Sequence, residues 1–257
     1  MSGESTIEVK IINGHVAFID ILGFSSIVSD SKFPDTFRPY AQAVEDALHG
    51  QSGRLGYLVF SDSIILYDVI SKNEPRPILR SCSYLFENLL TIGLPFRGCI
   101  SCGDFSVCRT TQGTVVAGTP IVDAYHYEKK QDWIGIILSP TMVKRHWAPG
   151  TPAPGFRSED AHVRAYKYIP LKSNQVGNPE PFDGYAIVPW ISEGKEFIFE
   201  ECIQRLSRLS MMAPDTSAQA KYHKTIKFLK EIAHSVSHER ARSASGELNR
   251  CEGEAVP

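Results

Sequence analysis

The run Val16-Ala17-Phe18-Ile19-Asp20-Ile21-Leu22-Gly23-Phe24 constrains the fold more than any other stretch of the chain. Its continuous apolar character fits a strand covered on both faces, because a half-exposed strand would alternate apolar with polar. Asp20 breaks the run near its end, and Gly23 then permits a tight turn toward Phe24. An ionised carboxylate in such a place needs a cation or several hydrogen-bond donors. Two readings are open: Asp20 caps the turn that follows, or it holds a ligand.

A second carboxylate lies at the centre of Tyr57-Leu58-Val59-Phe60-Ser61-Asp62-Ser63-Ile64-Ile65-Leu66-Tyr67, two apolar runs joined by a polar tip. The pattern predicts a hairpin over 55–70 with Asp62 at its turn. If that hairpin pairs beside the first strand, Asp20 and Asp62 converge. Carboxylates that close repel unless a cation lies between them, and oxygen ligands suit Mg²⁺ or Mn²⁺. Such a pair can hold two ions roughly 3.5–4 Å apart, the spacing used for in-line phosphoryl displacement.

Around these two strands the periodicity supplies a sandwich. Phe37, Tyr40, Ala41, Val44 and Leu48 recur at helical spacing, so a helix is expected over 36–49, after a break at Pro34 and with Asp35 as cap. A loop at 71–77 and a second amphipathic helix over 78–92 follow. Residues 95–105 read as a strand and 114–117 as a short one. Thr119 and Pro120 are placed to cap a helix reaching Lys130, and Trp133 to Leu138 is a further strand. This βαββαβαβ order predicts an α+β, ferredoxin-like sandwich with an antiparallel sheet. A Pro- and Gly-rich loop over 147–160, strands at Val163–Ile169 and Tyr185–Trp190, and helices over 200–212 and 216–236 make up a C-terminal extension. The expected division is an N-terminal segment 1–11, a main domain 12–140, an extension 141–236 packed on it, and a mobile tail 237–257 without apolar periodicity.

Composition excludes several functions. A net charge of −2 gives no overall attraction to nucleic acid or anionic membrane. No basic-then-apolar leader and no run long enough to span a bilayer are present, which predicts a cytoplasmic protein. Six cysteines form no small-domain framework, so reduced thiols are expected. Cys99-x-x-Cys102 lies in a strand-like run, where residues three apart face opposite ways; core thiols are the reading preferred over a redox or zinc motif. Seven Lys or Arg against three Glu between 221 and 250 read as a solvated face.

Taken in order, Phe18-x-Asp20-Ile21-x-Gly23-Phe24, Phe60-Ser61-Asp62-Ser63, Arg97-x-x-Ile100-x-x-Gly103, and Gly118 opening a helix that carries Ala124 and Glu128 resemble the catalytic domain of class III nucleotidyl cyclases. Within that superfamily the chain looks most like the pyrimidine cyclases of the bacterial Pycsar antiphage system, which make cyclic UMP or cyclic CMP. The resemblance implies the class III fold, two Mn²⁺ or Mg²⁺ ions held by Asp20, Asp62 and the Ile21 carbonyl, and a homodimer with shared active sites. It further implies a separate effector that responds to the cyclic nucleotide. Asp20, Asp62 and Arg97 are the expected catalytic residues. Phe18, Leu22, Gly23, Phe24, Tyr57, Ser61, Arg97 and His126 are the expected substrate contacts, with backbone N–H groups of Leu22-Gly23-Phe24 facing the triphosphate. For Arg97 the alternative is an ion pair with Asp104 or a helix carboxylate, and for His126 it is a packed helix residue.

The chain departs from purine cyclases where their helix carries an Asn and an Arg: those places hold Val122 and His126. Leu58 stands where their base-choosing Lys would be, four residues before Asp62. The hairpin and the Arg97 strand offer donors or hydroxyls (Arg97, Tyr57, Ser61, Ser101), which suit the carbonyls of uracil better than the amino group of cytosine. UTP is therefore the expected substrate, ahead of CTP and of the purine nucleotides, and a catalytically dead nucleotide-binding module is the non-enzymatic alternative.

Overall fold

The computed structural model describes residues 8–29, 33–49, 53–70, 74–110, 113–146, 165–167, 185–187 and 197–251. In chain order the elements are β1 (Glu8–Ile21), α1 (Phe24–Ser29), α2 (Phe33–Ala47), β2 (Leu55–Phe60), β3 (Ser63–Asp68), α3 (Arg76–Thr91), β4 (Phe96–Thr110), β5 (Gly113–Gly118), α4 (Thr119–Lys130), β6 (Gly135–Leu138), α5 (Pro140–His146), β7 (Ala165–Lys167), β8 (Tyr185–Ile187), α6 (Phe197–Met211) and α7 (Thr216–Cys251). Eight described strands form one sheet in the order β2-β3-β1-β4-β6-β8-β7, and β5 pairs with β4 off that path. The α+β class is the one expected. One detail differs: β6 runs parallel to β4, whereas the other pairs are antiparallel.

β1 is central because its apolar residues bury on both sides. Val16, Ala17, Ile19 and Ile21 are essentially inaccessible, and the strand pairs with β3 and β4 at once. It is longer than the apolar run that signalled it. Residues 8 to 13 continue as a ribbon on β4 alone, with Val9 and Ile11 exposed and Ile12 buried. This is the alternation of a strand covered on one face. Helix α3 buries Ile78, Leu79, Cys82, Leu85, Phe86, Leu89 and Leu90, and Phe86 meets Phe96 of β4 edge-on at 5.1 Å.

Several local expectations need correction. Helix α2 begins at Phe33, so Pro34 lies in its first turn instead of breaking the chain, and Asp35 is a first-turn acid instead of a cap. Proline is tolerated there because the first N–H groups lack partners anyway, and an acid there suits the helix dipole. Helix α4 is capped by Gly118, with no side-chain cap from Thr119. Gly118 is needed because a Cβ would come within 2.4 Å of the Phe105 Cβ. Helix α5, seven residues opening on Pro140, was not anticipated.

The C-terminal extension shares the sheet: β8 pairs with β6, and β7 with β8. Those strands are described only over 165–167 and 185–187; the rest of the expected spans Val163–Ile169 and Tyr185–Trp190, and the loop at 147–160, lie outside the described residues. Helix α7 docks through Trp133 against Phe228, rings 5.3 Å apart, and through Thr225, whose hydroxyl bonds the backbone of Ile134 on both its N–H and its carbonyl. The helix continues to Cys251, past the end expected at 236. Residues 237–251 include no proline and several strong helix formers, which sustain helix without an apolar stripe. In the described part of the basic stretch Lys224 pairs with Asp132 at 2.5 Å and Lys227 with Glu231 at 3.9 Å, as a solvated face would. Among the described residues no helix is long and apolar enough to cross a membrane. Cys82, Cys99, Cys102, Cys108 and Cys202 are free thiols, and burial raises the Cys99 and Cys102 thiols above their ordinary range. Both are core residues.

Candidate active site

The two carboxylates do meet. Asp20 is the penultimate residue of β1, directly opposite Ser63 on β3 and Arg97 on β4. Asp62 belongs to the two-residue turn between Phe60 and Ser63. Ser61, its neighbour in that turn, takes φ 58°, the left-handed conformation such tight hairpins require. The Ile21 N–H donates to the Asp62 carbonyl at 2.9 Å, so backbone ties the turn to the end of β1. The Asp20 side chain is 14% exposed. Burial pushes its carboxyl above the usual range, the neighbouring Lys129 ammonium counters that, and the Asp62 charge adds to the rise.

Helix α4 supplies the surrounding charge. It crosses β1 on the side to which Phe18 and Asp20 point, with Tyr125 edge-on to Phe18 at 5.3 Å. Arg97 lies 2.8 Å from the wholly buried Glu128 and 3.9 Å from Asp20, and donates to the Gln131 carbonyl at 3.3 Å. Glu128 and Arg97 meet by charge, without hydrogen-bond geometry at the carboxylate. Desolvation raises the Glu128 carboxyl, and Arg97 and Lys129 pull it back. Gln131 braces this floor by donating to the Gly98 carbonyl and accepting from the Trp133 indole. Lys129 is the outward member: its ammonium stands 3.7 Å from Asp20, 3.6 Å from Glu128 and 5.4 Å above the Tyr125 ring.

On the other side of the hairpin lies a cleft of 540 Å³ lined by Phe24, Phe37, Tyr40, Tyr57, Phe60 and Ser61 among others. Tyr40, from α2, is buried, and its hydroxyl donates to the Ser61 carbonyl at 3.4 Å. Burial and the charges of Asp62 and Asp20 raise the phenol well above its ordinary range, which keeps it a donor.

Each expected site residue can now be placed. Asp20, Ile21 and Asp62 come together. Gly23 turns the chain into α1 with φ 72° and open space where a Cβ would stand. The Leu22 N–H does not face outward but donates to the Pro95 carbonyl at 2.7 Å. Phe18 and Phe24 are buried, at 9% and 8% exposure, because each packs against a tyrosine ring. Arg97 takes the helix carboxylate, not Asp104, which receives Asn13 instead. Tyr57 donates to Glu45 at 3.1 Å, and the Ser101 hydroxyl accepts from Ser139 and bonds Thr141, so of the four groups that favoured uracil Arg97, Tyr57 and Ser101 are engaged within the chain and Ser61 is exposed. His126 and Val122 lie on the exposed face of α4, apart from the Arg97–Glu128 floor. Lys129 and Tyr40 were missed as site residues. A lysine in a last helical turn and a tyrosine at a core position carry no signal of their own.

Divalent cations suit this set. The donors are hard oxygens, and the charges of Asp20 and Asp62 repel one another, a repulsion that a divalent cation between them would offset more fully than the side chains of Lys129 and Arg97 do. Among the described residues no group of three or more His, Cys, Asp or Glu encloses a metal by itself, so phosphate and water oxygens would complete the shell, as Mg²⁺ favours.

No family model matches the sequence, and no curated protein matches it. Solved structures do. The catalytic core of a rhodopsin-guanylyl cyclase with converted specificity, in complex with ATPαS, is 11% identical with a TM-score of 0.51, covering 72% of this chain and 100% of that one. The adenylyl cyclase CyaB from P. aeruginosa is 15% identical with a TM-score of 0.50, covering 73% of this chain and 98% of that one. At such identities the likeness is one of architecture: the chain has the fold of adenylyl and guanylyl cyclase catalytic domains.

Proposed function

We propose that this protein is a nucleotidyl cyclase that converts UTP to 3′,5′-cyclic UMP and pyrophosphate, the messenger-producing half of an antiphage defence system whose effector reads the product. The observation that carries the reading is the convergence of Asp20 and Asp62 at the end of β1 within a cyclase fold. In the reaction the ribose 3′-hydroxyl gives its proton to water, its oxygen bonds to the α-phosphorus, the bond from that phosphorus to the bridging oxygen breaks, and pyrophosphate leaves. Two bound Mn²⁺ or Mg²⁺ ions would lower the pKa of the 3′-hydroxyl and take charge from the triphosphate. Asp20, Asp62 and the Ile21 carbonyl hold the cationic side of the site. The α1 turn at Gly23 lets the backbone approach the triphosphate closely. Arg97, fixed by Glu128, sets the field under Asp20.

Pyrimidine choice is supported by Leu58, whose side chain packs into the second apolar cluster with Ile12 and Phe105 and offers no polar atom to a purine ring. Cytidylate cyclase is the second reading, since most donors that distinguished uracil are engaged within the chain. Val122 and Tyr125, 66% and 48% exposed on α4, support a homodimer in which that helix faces the partner's site. Incubation with each of the four nucleoside triphosphates and Mn²⁺, with products resolved, tests the activity. A dominant cyclic CMP peak from equal UTP and CTP replaces the uridylate assignment, and no cyclic product from any of them ends the cyclase reading.

A further inference from the structure

Resting on that reading, we infer that Lys129 is a placeholder cation: it occupies the cationic position beside Asp20 in the nucleotide-free protein and moves onto the substrate's polyphosphate when metal binds. Two cations border Asp20, and they differ in burial. Arg97 is 8% exposed, lies 2.8 Å from Glu128 and donates to the Gln131 carbonyl, so it cannot follow a ligand. Lys129 has a side chain 46% exposed, with its ammonium between Asp20 and Glu128 at 3.7 and 3.6 Å. Both contacts are longer than a hydrogen bond, and the Tyr125 ring supports the ammonium from the outer side. A lysine ammonium is a compact charge on a flexible stem with three rotatable donors, suited to changing partners.

The same geometry supplies what α4 otherwise lacks. With Val122 and His126 at the outward positions, Lys129 is the α4 cation nearest the carboxylates. The Lys129 ammonium would be repelled at this distance by a divalent ion held at Asp20. Released from Asp20, Lys129 remains one side-chain length from the site and meets the incoming phosphates. As the bond from the α-phosphorus to the bridging oxygen breaks, negative charge passes to pyrophosphate, and the ammonium offsets it without giving up a proton. Its role at that point is catalytic in the sense of touching the leaving group.

The test uses the full chain and two readouts. Calorimetric titration of Mn²⁺ alone into the nucleotide-free protein should show Lys129→Gln binding roughly two- to fivefold more tightly than the parent, because a competing surface-type ion pair has gone. With saturating Mn²⁺ and the parent's preferred triphosphate, the same variant should lose roughly 10²-fold in kcat, and Lys129→Arg should recover part of it. Unchanged or weaker Mn²⁺ binding in Lys129→Gln overturns the placeholder role. Tighter binding with kcat unchanged overturns the transfer to phosphate. A parent that cyclises no triphosphate ends the cyclase reading instead, and the Mn²⁺ titration then decides the placeholder alone.

Discussion

Two charged clusters sit on β1, one at Asp20 and one at His15, and they are built on opposite principles. His15 is fully buried, and Asp68 accepts from both its backbone N–H at 2.8 Å and its Nδ1 at 2.7 Å. An ionised carboxylate only accepts, so Nδ1 carries a proton. The Nε2 meets Nε2 of His146 on α5 at 2.8 Å. Every polar atom of the imidazole has a partner, and that cluster is closed. Around Asp20 the carboxylate is partly exposed, its cations stand at 3.7 Å or beyond, and a second carboxylate works against it. A closed cluster serves the fold; an open one is left for a ligand to complete.

The sharpest way to break this contrast is Asp20→Asn or Asp62→Asn. Turnover should vanish in both, measured as cyclic nucleotide per enzyme. Asp20→Asn should melt at or above the parent temperature near neutral pH. The sign follows from its raised carboxyl: the fold holds a proton on Asp20 more readily than the unfolded chain does, so the charged form destabilises the native state above that range. A lowered melting temperature would place Asp20 with the structural cluster.

Next in size is the closed cluster itself. His15→Ala leaves Asp68 buried without its partner and should destabilise by about 3–5 kcal/mol in urea melts, far more than any change at the open site. A loss under about 1 kcal/mol would show the cluster to be dispensable.

A smaller effect concerns acid. Burial, the His15 charge and Arg145 lower His146 to about 4, below its ordinary value of 6.5. The unfolded chain therefore takes up a proton in that interval while the native one does not, and stability should fall as pH drops from about 6.5 toward 4. His146→Gln should flatten that part of the curve, and an equally steep curve would exclude this histidine as the source. Smallest is Tyr40→Phe, which removes one long hydrogen bond to Ser61. It should cost about 0.5–1 kcal/mol and raise the Mn²⁺ concentration needed for half-maximal activity, with kcat kept.

The contrast also explains what could be read from residues alone. β1 and the β2–β3 hairpin were legible because apolar runs and a polar tip are local signals, and Asp20 and Asp62 stood out against apolar neighbours. Arg97's partner was not, since choosing Glu128 over Asp104 depends on how α4 lies across β4. The His15–Asp68 pair joins residues 53 positions apart across two strands, and a lone histidine or aspartate in each carries no hint of the other. Lys129 looks like any lysine that favours a helix C-terminus. Past 236 apolar periodicity ends while α7 continues on intrinsic propensity, which leaves no stripe to mark it.

The bond from the Ile21 N–H to the Asp62 carbonyl makes the separation of the two carboxylates a property of main chain. Peptide groups are the same whatever side chains they bear, so β2 and β3 can exchange most of their residues while the gauge between the acids stays fixed. Sequence drift can then reshape the walls that choose a substrate without moving the acids. A change of specificity in such a protein needs no re-invention of its chemistry.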